Sequence, residues 1–164
     1  MKPEFRVSAR IAKPVGAVFD AVVNPDKLSG YFTTIGGASA PLVAGTKVRW
    51  WGEVGVDVAE VTPERRIVLH WDGPKSPEGP ALYQTRIEMN FEPLEDEATL
   101  VTIAESGWHA DAQSQHSAFL NCEGWSQMLC CMKAFLEYGI NLRQGYYPSE
   151  LRGEPARERP LDSE

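Results

Sequence analysis

The residue best placed to do chemistry is Glu105. It closes a run, Ala98 to Glu105, in which alternation puts Val101, Ile103 and Glu105 on one face of a strand. A carboxylate at the end of an otherwise apolar row is costly unless it is paired or near water. Two readings follow. Glu105 is either a ligand-orienting acceptor or general acid/base with the raised pKa of a buried carboxylate, or a strand-end residue that meets solvent or a backbone N–H. An enzyme built on it would add a water, Tyr31 or His109.

The other clusters are less specific. His109 and His116 flank Asp111 near the entry to a long helix, but their seven-residue separation misses the one-turn spacing of helical zinc pairs, so no metal is assigned. Cys122, Cys130 and Cys131 are odd in number and share one expected helix. They read as small buried or half-buried residues, not as a disulfide framework. No nucleophile elbow and no Walker-type or dinucleotide glycine pattern occurs, so no cofactor is assigned and enzyme activity stays open.

The elements that must position these residues are legible from periodicity. Phe5 to Ile11 alternates as a half-buried strand, Lys13-Pro14 opens a helix through Ala17 to Val23, and Asn24-Pro25 closes it before a second short helix, Asp26 to Phe32. Thr33 to Thr46 reads as a loop with one irregular strand. Strands are expected at Lys47 to Trp51, Val54 to Val61, Arg66 to Trp71, Leu82 to Phe91 and Ala98 to Glu105, a series whose short connections imply an antiparallel meander. Within it Ile67, Leu69 and Trp71 share an inner face with Tyr83, Thr85, Ile87, Met89 and Phe91.

A helix is expected from about Ser117 to Tyr138, with Ala118, Cys122, Trp125, Leu129, Met132 and Leu136 as one apolar stripe, Met128 on its flank and Gly139 at its C-terminus. Gly124 beside Trp125 is read as the gap that lets this helix approach the sheet. The chain has 164 residues, 43% of them hydrophobic, which fits one globular domain over residues 1–142 followed by a charged, proline-containing tail over 143–164. A net charge of −7 without a basic segment argues against nucleic-acid binding, and no stretch approaches the length that spans a bilayer. A cytoplasmic location is the expectation.

The order strand, two short helices, meander, long helix carries a resemblance. Phe19-Asp20-Ala21-Val22-Val23-Asn24-Pro25 with Leu28 and Phe32, Val61-Thr62-Pro63, Trp71, Thr99 to Ile103 leading into Glu105-Ser106-Gly107-Trp108, and Glu123-Gly124-Trp125 together resemble the activator-of-heat-shock-protein-ATPase homologue branch of the START/SRPBCC (polyketide cyclase-like) superfamily, from about Phe5 to Gly139. Tyr31 stands where that branch usually has Trp, and the basic face of a chaperone activator is missing. The resemblance implies an α+β helix-grip fold: a curved antiparallel sheet around a long C-terminal helix. It also implies a role in stress response.

Three functions stay open, in this order. The first is binding of a small hydrophobic or amphipathic molecule in a cavity between sheet and helix. The residues expected to line it are Tyr31, Leu69, Trp71, Tyr83, Ile87, Met89, Ile103, Glu105, Trp125, Met128, Leu129 and Met132, with the Asp72 to Pro80 and Gly36-Gly37 loops as lids. The second is a protein-interaction module acting on a chaperone or another partner, as a monomer or homodimer. The third is a cyclase- or hydrolase-type enzyme using Glu105.

Overall fold

The computed structural model describes residues 1–148. Strand β1 (Phe5–Ile11) precedes helices α1 (Val15–Val23) and α2 (Pro25–Leu28), then come β2 (Lys47–Trp50), β3 (Val54–Thr62), β4 (Arg66–Asp72), β5 (Gln84–Leu94) and β6 (Ala98–Ser106), and the long helix α3 (Ala112–Tyr138). One six-stranded sheet has the order β1-β6-β5-β4-β3-β2 with every neighbouring pair antiparallel. This is the expected helix-grip architecture, with both short helices after the first strand.

The chain enters and leaves its helices where local chemistry dictates. Asn24 serves two of them: its N–H bonds the Asp20 carbonyl at the end of α1, and its side chain accepts from the Asp26 N–H at the start of α2. Helix α2 stops at Leu28, shorter than the expected Asp26 to Phe32, because Ser29 Oγ turns back onto the Pro25 carbonyl. The segment between α2 and β2 contributes one bridge, Ala38 to Trp50.

Helix α3 corrects the expectation most. It begins at Ala112, about one and a half turns before Ser117, because Asp111 caps it by accepting from the Ser114 N–H at 2.8 Å. Its 27 residues reach about 40 Å at 1.5 Å per residue, enough to cross the sheet. Gly139 ends it in the left-handed conformation with φ 68°. The expected role of Gly124 is not seen: a Cβ there would meet nothing within 4 Å, so it does not mediate close approach to the sheet. Cys131 is buried and Cys122 half-buried, but Cys130 is exposed, since it lies on the opposite side of α3 from Trp125 and Met132.

The inner sheet face and the apolar side of α3 form one core. Leu69, Ile87, Met89 and Ile103 from the strands meet Trp125, Met128, Leu129 and Met132 from the helix, all buried. Registers Leu69↔Ile87 and Met89↔Ile103 set these strand residues in rows, as a period of two requires. Beyond α3 the chain folds back: Arg143 is buried with its guanidinium 5.6 Å from both the Phe32 and Trp51 rings, and the Tyr147 hydroxyl bonds Gln127. The remainder of the expected tail, 149–164, lies outside the described residues.

Candidate functional site

Glu105 is fully buried, on the inner face of β6 directly across from Ile87 of β5. It meets neither solvent nor a backbone N–H. Oε1 accepts from Thr85 Oγ1 at 2.7 Å, Trp71 Nε1 at 2.8 Å and Asn121 Nδ2 at 3.1 Å. Oε2 accepts from Trp125 Nε1 at 3.0 Å and again from Asn121 at 3.2 Å. The four donors come from β4, β5 and α3 and none carries a charge, so hydrogen bonds without an ion pair hold the carboxylate. Asn121 and Trp125, four residues apart, stand one turn apart on α3 and reach the same group.

Burial pushes the Glu105 carboxyl above its usual range, and the donors from Thr85, Trp71, Trp125 and Asn121 pull it back without cancelling that rise. Its lone pairs are occupied by donors in place, which suits an anchor better than a proton shuttle. The two side chains an enzyme would have set beside it are elsewhere. Tyr31 is buried with its hydroxyl donating to the Ala21 carbonyl at 3.0 Å, and the His109 ring stacks on Tyr83 at 3.7 Å between centroids.

Above the carboxylate the aromatic rings make a continuous body. Trp71 stacks on Trp125 at 5.2 Å and 24°, and Trp125 stacks on Phe32 at 5.6 Å and 27°. Trp50 runs alongside all three, at 5.6 Å from Phe32, 6.2 Å from Trp71 and 6.5 Å from Trp125, with its plane near perpendicular to theirs. Trp51 lies 4.8 Å from Phe32 and donates its N–H to the Phe32 carbonyl. Trp71, at one end of the stack, and Trp51, edge-on to Phe32 at the other, are half-buried.

The structure gathers most of the expected lining into this one cluster: Tyr31, Leu69, Ile87, Met89, Ile103, Trp125, Met128, Leu129 and Met132, with Trp71 packed against it and Glu105 bonded beneath. Tyr83 stands apart, at the edge of the 73–83 hairpin, where its hydroxyl bonds Ser114 Oγ at 2.6 Å and accepts from the His109 N–H at 3.1 Å. Gln113 Nε2 ties the same hairpin to α3 through the Lys75 carbonyl at 3.1 Å. The space between sheet and helix at the Glu105 end is occupied by indole rings. Two clefts lie elsewhere: one of about 310 Å³ on the outer side of α3, lined by Glu123, Gln127, Cys130, Leu142 and Tyr146 among others, and one of about 240 Å³ beside Arg65 and Arg66.

Sequence reasoning missed Trp50, Trp51, Phe32, Thr85, Asn121 and Arg143 as parts of the site. One signal was available for Asn121, a polar residue one turn from Trp125 on a buried helix stripe. Asp111, between the two histidines to which no metal was assigned, is engaged as the α3 cap, which holds its carboxyl below the usual range through the bonds from Ser114, and among the described residues no group of three His, Cys, Asp or Glu could hold an ion.

Glu105→Gln sets an amide N–H₂ against donors and is expected to cost about 1–3 kcal/mol of stability in chemical denaturation at pH 7. The unfolded chain ionises this group before the folded one does, so the pH-dependent part of its contribution is full below the ordinary value of 4.5 and is lost as pH rises through the folded pKa. The difference between wild type and Glu105→Gln should therefore shrink as pH rises above 4.5. Growth of that difference would show that the donors outweigh burial.

Comparison with known proteins agrees with this architecture. The family model described as Activator of Hsp90 ATPase homolog 1-like protein matches residues 12–137. No curated protein matched. Among solved structures, a Staphylococcus saprophyticus protein is 24% identical with TM-score 0.69, over 86% of this chain and 96% of that one. CalU16 from Micromonospora echinospora is 19% identical with TM-score 0.67, over 92% and 80%. An HSP90 activator from Plasmodium falciparum is 17% identical with TM-score 0.65, over 83% and 96%. The sheet, the grip of α3 and the family match over most of the chain lead to one conclusion: this protein belongs to the Activator of Hsp90 ATPase homolog 1-like family, within the START-related superfamily.

Proposed function

We propose that the protein binds a planar, largely apolar small molecule at the aromatic end of the sheet–helix interior. The observation that carries this reading is the ordered stack Trp71–Trp125–Phe32, pinned from below by Glu105 and reaching the surface at Trp71. Flat aromatic walls with a few fixed polar groups are the usual lining of small-molecule sites. Leu69, Ile87, Met89, Ile103, Met128, Leu129 and Met132 supply the apolar floor, Tyr31 its far boundary, and the hairpin carrying Tyr83 its lid. Because rings fill the space, a ligand enters by displacing one.

Trp51 is the ring suited to that displacement. It is half-buried, its φ of 54° is a conformation that bulky residues rarely adopt, and the Gly36 position is packed against its backbone. The fluorescent probe 1-aminoanthracene should bind saturably and raise Tm with the logarithm of its concentration above its Kd, since a ligand of the folded state alone stabilises it. Trp71→Ala should weaken this binding about tenfold or more with the circular dichroism spectrum retained. Absence of saturable binding to wild type contradicts the reading.

A second reading, a protein-interaction module, is favoured by one observation: Leu142 and Tyr146 are exposed in the lining of the outer cleft of α3, and Tyr138 and Ile140, near them in the chain, are exposed as well. An HSP90 activator is among the structural neighbours. If that surface serves a chaperone, the protein should stimulate the ATPase of a purified Hsp90, and Leu142→Asp with Tyr146→Ala should abolish the stimulation. No stimulation by wild type would remove this reading.

A further inference from the structure

We propose that the aromatic site selects planar compounds carrying a hydrogen-bond acceptor oxygen, received by the Trp50 indole N–H. This rests on the binding reading above and adds to it the chemical class of ligand. Of the indoles in the cluster, Trp71 and Trp125 donate to Glu105 and Trp51 donates to the Phe32 carbonyl. Trp50 is 0% exposed and its Nε1 has no hydrogen-bond partner. A buried donor left unmade is costly, and an exception of this kind calls for an explanation.

The surroundings say what the missing partner is. Glu105 cannot serve, because its two oxygens already accept five hydrogen bonds from four side chains. The rings beside Trp50 stand at 73° to 87° to it, an arrangement of edges against faces that offsets an unpaired N–H only weakly. Thus the site needs no donor from its ligand at the carboxylate, and it needs an acceptor at Trp50. A ligand that joins or replaces a member of the Trp71–Trp125–Phe32 stack lies alongside Trp50 and presents its edge oxygens there. Flat aromatic ketones and quinones have that form: a π face for the stack and an in-plane carbonyl lone pair for the N–H.

Displacement of Trp51 gives such a ligand its route. Trp51 is 6.0 Å from Trp50 between ring centroids and is the half-buried member of the adjacent pair. Trp51 stands edge-on to Phe32, outside the parallel stack, and the Arg143 guanidinium is 5.6 Å from both rings.

The test compares 9-fluorenone with fluorene, which has the same tricyclic plane without the oxygen. Wild type should bind fluorenone about tenfold more tightly than fluorene, and Trp50→Phe, whatever its affinity for fluorene, should bind the two about equally. In ¹⁵N-indole-labelled wild type, the Trp50 N–H resonance, assigned through its contacts with Phe32 and Trp125, should move downfield with fluorenone and stay in place with fluorene. This second measurement decides the matter even if Trp50→Phe does not fold. Equal binding of the two compounds, a preference that survives Trp50→Phe, or an unmoved Trp50 resonance overturns the inference and leaves the binding reading intact. Binding of neither compound to wild type overturns both.

Discussion

A carboxylate taken out of water and held by neutral donors is the constraint on which the rest of this molecule depends. Burying Glu105 without partners would cost several kcal/mol, more than most single contacts in a domain return. The cost is offset only if Thr85, Trp71, Asn121 and Trp125 all stay within hydrogen-bond distance at once. Because those donors sit on β4, β5 and α3, the requirement fixes the height and rotation of the helix over the sheet. Apolar packing alone tolerates small slides of a helix across its partner; a five-bond acceptor does not.

The same requirement shapes the aromatic body. Two of the four donors are indole N–H groups, so satisfying the carboxylate orients the Trp71 and Trp125 rings parallel to one another, and Phe32 completes the stack. The polar anchor thus converts a group of large apolar side chains into a surface with a defined plane. At the other end Trp51 is kept in a turn with positive φ by its bond to Phe32, its backbone bond to Gly37 and the guanidinium of Arg143. One end of this aromatic body is fixed by hydrogen bonds to a carboxylate, and the other carries a residue with positive φ.

The inward aim of Glu105 was legible in the sequence, because β6 alternates strictly and Val101 and Ile103 fix which face is apolar. Its partners were not, since a period of two says which side a residue faces and nothing about which side chain arrives from a helix 16 or 20 residues later. Helix α3 was legible in its apolar stripe and its glycine end. Its start was not, because Asp111 and Ser114 look like loop residues until the cap forms. The expected interior chamber illustrates a different limit: whether rings line a space or fill it depends on rotamers, and composition is silent about those. Trp50 and Trp51 adjoin in the chain but differ in role because Trp50 ends a strand and Trp51 begins a turn.

The most direct measurement of the central claim is a double-mutant cycle between Glu105→Gln and Trp125→Phe, read as unfolding free energy at pH 7. If the carboxylate orders the indoles, the two changes are coupled by about 1 kcal/mol or more, as expected for partners in one buried hydrogen-bond network. Losses that add to within about 0.3–0.5 kcal/mol would contradict the account, because they would mean that Trp125 holds its place by packing and owes nothing to the charge beneath it.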